Sequence, residues 1–514
     1  AQGKKYDADE NYIIFRDIEL KEKWEPLEFK GTMIGAKVGG EYSKLNEILN
    51  IEGEVPEANR ARIKEVKIES ASGALNINDV RGVGFFNTLS SKEGLSSFDD
   101  IEGLFTSGPK VTVKNLVLEN VTIANQYDTV EDPPQNLIEG VIGLLENILE
   151  IPLVGDLLKL LVGDLIDAIT QLLDPDEDDV TAAATGAFAG RIYGDVEIAN
   201  CSVENLQSLS SKQDIAGGFV GSMQGMVEYQ ELFGTLDSLL LQPLINLLNA
   251  IPFLGLGTLL EVLISGGIVN IGELVPTGHK APTLYNCFVS YGTTVENMEA
   301  SQLENVNNKN FYGGFVGYQS GARLIQCKVE AKNGLKVNAQ NYAGGFAGAV
   351  ADTKVVAAFS SLGLDLDYSY ITNNSFILNC SVNGDVQVSA IEDYAGGLTG
   401  VLCNSYLIDS GIEGTPTVNA VNYAGGMVGL STVGEALALG NQNENNEDLL
   451  ELIGGLLGNI LGGEQDAALL SLAGVYPAVI AGTYIKDGAA FVTATENYAG
   501  GLCGRADGTK IINS

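Results

Sequence analysis

One seven-residue phrase recurs along this chain, and its recurrence restricts the possible folds more than any other feature of the sequence. It reads YAGGFAG at 342–348, YAGGLTG at 394–400, YAGGMVG at 423–429 and YAGGLCG at 498–504, with variants at 215–221 and 312–317. Gly314 and Gly345 are 31 residues apart, and Gly397 and Gly426 are 29 residues apart. Such a fixed spacing indicates a repeat architecture, in which each unit buries its apolar face by stacking on its neighbours.

Within each repeat, apolar residues alternate over short segments that are broken by Gly, Asn and Asp, as in NCSVNGDVQVSA at 379–390. Alternation favours half-buried strands, and three short strands with three turns fit one coil of about 30 residues. The sequence therefore predicts an all-β fold, a right-handed parallel β-helix (β-solenoid) of roughly eight coils. We assign 81–514 to this solenoid and 1–80 to an N-terminal capping region and the first coils.

The paired glycines of the phrase are expected where the backbone bends sharply or packs too closely for a side chain. The apolar residue that follows each pair is expected to fill the core and to line up with its counterparts in other coils. The repeat glycines are Gly217, Gly218, Gly313, Gly314, Gly344, Gly345, Gly396, Gly397, Gly425, Gly426, Gly500 and Gly501.

A second phrase, with a central cysteine, precedes most copies of the first. It reads IANCSV at 198–203, LYNCFV at 284–289, LIQCKV at 324–329 and ILNCSV at 377–382. Equivalent positions predict that Cys201, Cys287, Cys327 and Cys380 form an inward ladder of small apolar groups. Redox-active or metal-binding thiols are the alternative, but no histidine or basic neighbour is placed to lower a thiol pKa. Ser410 takes the cysteine position in the related segment 407–412, which favours packing.

Three Leu-rich insertions interrupt the period, at about 135–173, 230–275 and 446–474. Leu and Ile recur there at spacings of three and four, which predicts short amphipathic helices. Their apolar faces could pack on each other or on the solenoid flank, or could form a partner or self-assembly surface. Membrane insertion is disfavoured because the polar faces are acidic rather than basic. A shorter insertion at about 351–375 is predicted to be a loop between coils.

The charge balance excludes several partners. Asp and Glu number 66 against 29 Lys and Arg, a net charge of −37, which repels nucleic acid and anionic lipid. One interpretation of the acidic run is a weak calcium site formed by Asp174, Asp176, Glu177, Asp178 and Asp179, because calcium prefers carboxylate oxygens. The run lacks the EF-hand spacing, so a solvated acidic loop is the alternative. No other cofactor is predicted, and no segment is apolar enough for a transmembrane helix.

Catalysis is not predicted from the sequence. His279 is the only histidine, so no Ser/His/Asp set or zinc site can be nominated with support. HExxH, phosphate-loop and dinucleotide motifs are missing from the sequence. Because parallel β-helices can host polysaccharide-degrading enzymes, a carbohydrate-active enzyme stays as an alternative, although no carboxylate pair stands out.

The Gly-Gly-apolar-x-Gly phrases and the Asn-Cys-like strands resemble the GLUG-motif repeats of bacterial cell-surface proteins. Those repeats also occur in the non-catalytic region of immunoglobulin A peptidases. The segments FRDIEL at 15–20, WEPL at 24–27 and FKGTMIG at 29–35 are similar to the lead-in of that group. The resemblance implies an exported, surface-attached protein, and the first residues, AQG, would suit a product from which an export signal has been removed.

Three functions follow as expectations. The first is an extracellular scaffold or adhesin, on the cell surface or secreted, that displays its insertions to a protein or glycan ligand on a host or matrix. The second is a structural subunit that self-associates into a filament or sheath. The third is the carbohydrate-active enzyme.

Overall fold

The computed structural model describes residues 11–37, 57–70, 73–74, 82–91, 110–128, 184–211, 215–231, 274–292, 298–299, 311–357, 369–432 and 478–514. Within these ranges the chain consists of short β-strands joined mostly by tight turns. They contain one 3-10 turn, Glu57–Asn59, and no α-helix.

A single coil is seen most completely at 323–351, where five strands follow one another. They are Arg323–Ile325, Lys328–Glu330, Leu335–Ala339, Tyr342–Gly344 and Ala347–Ala351. Each strand pairs in parallel with the equivalent strand of the next coil, and the stacked strands form five sheets, numbered here 1 to 5 in coil order. The prediction of an all-β architecture with stacked parallel sheets, consistent with a β-solenoid, is confirmed. The prediction of three strands per coil is wrong, because turns divide the coil into five.

The strands of each sheet are spaced sequentially along the chain. Sheet 1 contains Tyr12–Ile14, Thr32–Gly35, Val111–Lys114, Val196–Ala199, Thr283–Tyr285, Arg323–Ile325, Phe376–Leu378, Tyr406–Ile408, Val479–Ala481 and Lys510–Ile512. Sheet 2 contains Ile18–Glu19, Ala61–Lys64, Lys67–Glu69, Leu116–Asn125, Ser202–Ser211, Phe288–Tyr291, Lys328–Glu330, Ser381–Asn383, Gly411–Glu413 and Tyr484–Lys486. Sheet 3 contains Met298–Glu299, Leu335–Ala339, Val386–Ala390, Pro416–Ala420 and Phe491–Ala494.

Sheets 4 and 5 complete the coil. Sheet 4 contains Ala184–Gly186, Ile215–Gly217, Phe311–Gly313, Tyr342–Gly344, Tyr394–Gly396, Tyr423–Gly425 and Tyr498–Gly500. Sheet 5 contains Leu27–Phe29, Phe86–Ser90, Ala189–Tyr193, Val220–Gln224, Val316–Ser320, Ala347–Ala351, Thr399–Cys403, Val428–Thr432 and Cys503–Ala506. A short parallel pair joins Gly73–Ala74 to Tyr127–Asp128. Because sheet 1 has ten described strands, the chain completes nine coils and begins a tenth. The sequence predicts roughly eight coils.

The core is a continuous apolar interior in which equivalent side chains of successive coils touch. Phe188, Phe219, Phe315 and Phe346 are fully buried and stack with centroids 4.7, 4.9 and 5.0 Å apart. These distances match the spacing of about 4.8 Å between neighbouring strands, so the rings follow the coil rise. Stacking therefore buries an apolar face that no coil could bury alone.

The turn between sheets 1 and 2 is made by a residue in the left-handed region. Its φ is 55° at Asn200, 49° at Asn286, 55° at Gln326, 52° at Asn379 and 47° at Asp409. Asn and Asp tolerate this conformation better than other side chains because they can hydrogen-bond locally. The Asn that precedes Cys in the second phrase is therefore the residue at which the chain turns from sheet 1 to sheet 2.

The insertions predicted at 135–173 and 446–474 lie outside the described residues, as does the acidic run 174–179. Only the two ends of the insertion predicted at 230–275 are described. The prediction of a helix is wrong for these ends, because Met226–Glu231 and Leu274–Lys280 are paired antiparallel strands. The insertion at 351–375, predicted as a loop, begins and ends in a second antiparallel pair, Thr353–Ala357 with Ser369–Asn373. The described residues thus give no support to helical insertions.

Candidate interaction surfaces

The paired glycines lie in two adjacent files at the junction of sheets 4 and 5. The first glycine of each pair ends a strand of sheet 4, and Gly313, Gly344 and Gly396 are successive ladder partners. A Cβ on Gly345, the second glycine of its pair, would lie less than 3.0 Å from the carbonyl oxygen of Gly397 in the next coil. The same clash with the next coil would occur at Gly218, Gly314, Gly397 and Gly426. Backbone packs directly on backbone here, which leaves no room for a ligand.

The four repeated cysteines point into the core and are at most 1% exposed. The Cys327 thiol donates to the carbonyl oxygens of Leu284 (3.6 Å) and Ile325 (3.5 Å). Burial raises the pKa of Cys201, Cys287 and Cys327, so these thiols stay protonated at neutral pH.

Ser410 follows Cys380 in this file. Its hydroxyl donates to the carbonyl oxygens of Ile408 (2.8 Å) and Ile377 (3.4 Å). A protonated donor in a file of carbonyls is suited to packing between coils and poorly suited to nucleophilic chemistry.

A file of tyrosines on the outer side of sheet 4 was missed by the sequence predictions. Tyr342, Tyr394, Tyr423 and Tyr498 stack with centroids 5.3, 5.1 and 5.6 Å apart. Tyr342 belongs to a buried cluster separate from the main core, and exposure rises from 2% at Tyr342 to 51% at Tyr498. The signal was available, because tyrosine is the first letter of the recurrent phrase.

The connections from sheet 5 to sheet 1 alternate strictly between short and long. The short ones are 30–31, 194–195, 321–322, 404–405 and 507–509. The long ones, which alternate with them, are 91–110, 225–282, 352–375 and 433–478. Two connections of similar length lie elsewhere: 36–60 joins sheets 1 and 2, and 129–183 joins Tyr127–Asp128 to sheet 4.

Strand spacing accounts for the alternation at 225–282 and 352–375, the two long connections in which paired strands are described. An antiparallel pair places its two strands about 4.8 Å apart, which is also the rise of one coil. An arm that leaves one coil and returns to the next therefore fills the height of two coils. The described strands agree: Leu274–Lys280, which returns from the first arm, contacts Thr353–Ala357, which begins the second. We call these antiparallel pairs, with the chain they carry, arm 1 (225–282) and arm 2 (352–375).

No arrangement that suggests catalysis or metal binding occurs among the described residues. In those ranges, no three His, Cys, Asp or Glu side chains converge as metal ligands. No helix that could span a membrane is found in the part of the chain that is described. Comparison with known protein families, with curated proteins and with solved structures finds no match to this chain.

Proposed function

We propose that this protein is an extracellular scaffold or adhesin, at the cell surface or secreted, that presents its arms to a protein or glycan ligand on a host or in a matrix. The observation that carries the proposal is the common exit of arms 1 and 2 from the junction of sheets 5 and 1. Binding residues often lie on loops that a rigid scaffold positions, and repeat proteins carry their insertions on one face. The rod thus supplies stiffness and spacing, and the arms supply contacts.

Two further features support an exported rod. The resemblance to GLUG-motif repeats implies surface attachment, and the net charge of −37 favours a soluble exterior. We infer that the coil is right-handed, because crossovers between parallel strands of one sheet are right-handed in nearly all known cases. We also infer that the chain is not an enzyme, because it has one histidine and its Gly-Gly phrases serve as packing junctions.

The test is to remove one arm while keeping the rod. Residues 225–282 are replaced by Gly-Asp, the natural short connection at 194–195, and a second variant replaces 352–375 in the same way. Each variant is compared with the intact protein for binding to immobilised matrix proteins, host cells and a glycan panel. We expect at least one arm replacement to lose binding by tenfold or more while far-UV circular dichroism stays that of a β-rich fold.

The alternatives predict other results. Filaments of the intact protein on electron microscopy that disperse when an arm is replaced would favour a structural subunit. Release of reducing ends from a polysaccharide substrate would favour the enzyme. Retention of every ligand that the intact protein binds, after both arm replacements, would contradict the proposed role of the arms.

A further inference from the structure

The outer face of sheet 1 changes character along the rod. In the strands of the third and fourth coils it carries an ion-pair cluster, in which Glu197 lies 2.5 Å from the Nζ of Lys110 and 2.6 Å from that of Lys114. From Thr283–Tyr285 onward the cluster gives way to apolar side chains. Because alternate residues of a strand point to opposite faces, the first and third residue of each strand face outward, while Leu324 and its ladder partners are buried in the core.

Twelve outward residues form two columns in ladder register over six coils, and we call them the apolar stripe. One column is Thr283, Arg323, Phe376, Tyr406, Val479 and Lys510. The other is Tyr285, Ile325, Leu378, Ile408, Ala481 and Ile512.

The composition of the stripe is unusual for this chain. Although the sequence has 66 acidic residues, the stripe has none, and its only charges are Arg323 and Lys510. Tyr285 is 43% exposed, and Phe376 and Tyr406 are half-buried with ring centroids 5.1 Å apart. Contiguous apolar surface of this kind marks a binding site more often than isolated apolar residues do.

The geometry of the stripe disfavours a folded protein partner. Six coils at about 4.8 Å give a length of about 24 Å, and two columns lie about 7 Å apart, so the stripe covers roughly 200–300 Å². A stable protein interface buries about 800 Å² on each partner. A second copy of this chain would therefore gain too little from this face alone.

An extended peptide also fits poorly. The strands from Thr283–Tyr285 to Val479–Ala481 are hydrogen-bonded on both sides, so none offers an edge for strand addition. A peptide lying along the rod would advance about 3.3 Å per residue, out of step with the coil rise of about 4.8 Å.

We propose that the apolar stripe binds a linear polysaccharide that lies along the rod. A pyranose ring in an extended glycan advances by a distance close to one coil, so successive sugars meet equivalent positions of successive coils. The C–H faces of pyranose rings pack on aromatic rings, which Tyr285, Phe376 and Tyr406 supply on three coils. Arg323, between the first two of these, donates hydrogen bonds to ring hydroxyls or to a carboxylate.

The test uses defined hexasaccharides: cellohexaose, xylohexaose, chitohexaose and hexagalacturonate. Binding is measured by titration calorimetry with the full chain, with the double variant Phe376→Ser/Tyr406→Ser and with Phe491→Ser. Phe491 is a matched control because it is 62% exposed on sheet 3, outside the stripe. Thermal unfolding monitors the fold of each variant.

We expect at least one hexasaccharide to bind, more tightly than its trisaccharide. The double variant should lose tenfold or more in affinity, while Phe491→Ser should change affinity less than twofold. The protein with arm 1 replaced should keep hexasaccharide binding, so this proposal and the proposed role of the arms can fail separately. Failure of all four hexasaccharides, or equal binding by the double variant, would overturn the proposal. A dimer that the double variant converts to monomer would also overturn it, because the stripe would then be a self-association face.

Discussion

Alanine in place of Gly345 tests the packing of coil on coil most directly. The new Cβ would meet the backbone oxygen of Gly397 at less than 3.0 Å and the Cγ2 of Val386 at 3.1 Å. The peptide that carries this oxygen is held to the following coil by the hydrogen bond from the N–H of Leu398 to the carbonyl oxygen of Met427 (2.9 Å), so the oxygen can retreat to ordinary contact only if two coils separate by about 1 Å. Gly345 does not have a positive φ, so the effect is steric rather than conformational.

The expected cost follows from these contacts. Overpacking a fixed interior costs about 1–3 kcal/mol, and a clash with backbone belongs at the upper end of that range. Loss of unfolded-state freedom on replacing glycine offsets about 0.4–1 kcal/mol. We therefore expect Gly345→Ala to lower the free energy of unfolding by about 2 kcal/mol.

Gly501 is the matched control, because it occupies the same position of the phrase and a Cβ there meets nothing within 4 Å. Gly501→Ala should change the free energy of unfolding by less than about 0.5 kcal/mol, or raise it slightly. Urea unfolding followed by far-UV circular dichroism measures the free energy of unfolding of both variants. Hydrogen exchange over 342–351 is measured as well, because long repeat arrays can depart from two-state behaviour and this segment can open locally. Fluorescence of Trp24, the only tryptophan, would report on the first coil alone. Equal stability of the two variants would refute the close-packed junction.

Three further predictions concern the cysteine file and the ion pairs. Cys327→Ser should cost less than about 1 kcal/mol in urea unfolding, because Ser410 shows that a hydroxyl in this file finds carbonyl acceptors; a loss above about 3 kcal/mol would contradict this reasoning. At pH 8 a bulky thiol reagent should label at most Cys503 in the native protein and all six cysteines after denaturation, since the other five are buried; labelling of two or more native thiols would contradict their burial. Burial disfavours the charge of Glu197, but hydrogen bonds and charges from Lys110 and Lys114 outweigh it and lower its pKa below 4.5. That stabilisation is present above about pH 4.5 and is lost as pH falls through the lowered pKa, so Glu197→Gln should reduce the acid dependence of the melting temperature, and an unchanged dependence would exclude the pair as its source.

The stacking of coils could be predicted because it is encoded in one period. The recurrence of Gly-Gly-apolar-x-Gly, with alternating apolar residues between copies, requires each unit to repeat the path of the last. The split into five strands was also readable in principle, since the Asn before each Cys, such as Asn379, marks a left-handed turn. It was missed because alternation alone does not show where a strand bends.

Other features could not be read from the period. Whether Tyr342 faces inward or outward depends on the bend at the neighbouring glycines, which the pattern of apolar residues does not record. Leu and Ile at spacings of three and four predict a helix up to the ends of the second insertion. The structure instead pairs the strand Met226–Glu231 with a segment more than forty residues away. Pairing at that distance overrides local preference, and a single sequence does not reveal it.

Because short and long connections alternate between sheets 5 and 1, this solenoid can be lengthened without disturbing the alternation only by an even number of coils. The smallest unit that reproduces both the stacked sheets and an arm is a pair of coils, about 60 residues, together with the residues of one arm, rather than one repeat. Gain or loss of a single coil would place two long connections on neighbouring coils, or would leave an extra coil without a long connection between them. Duplications that preserve the spacing of the arms should therefore come in twos, and an artificial rod lengthened by an odd number of coils should lose the contact between its arms.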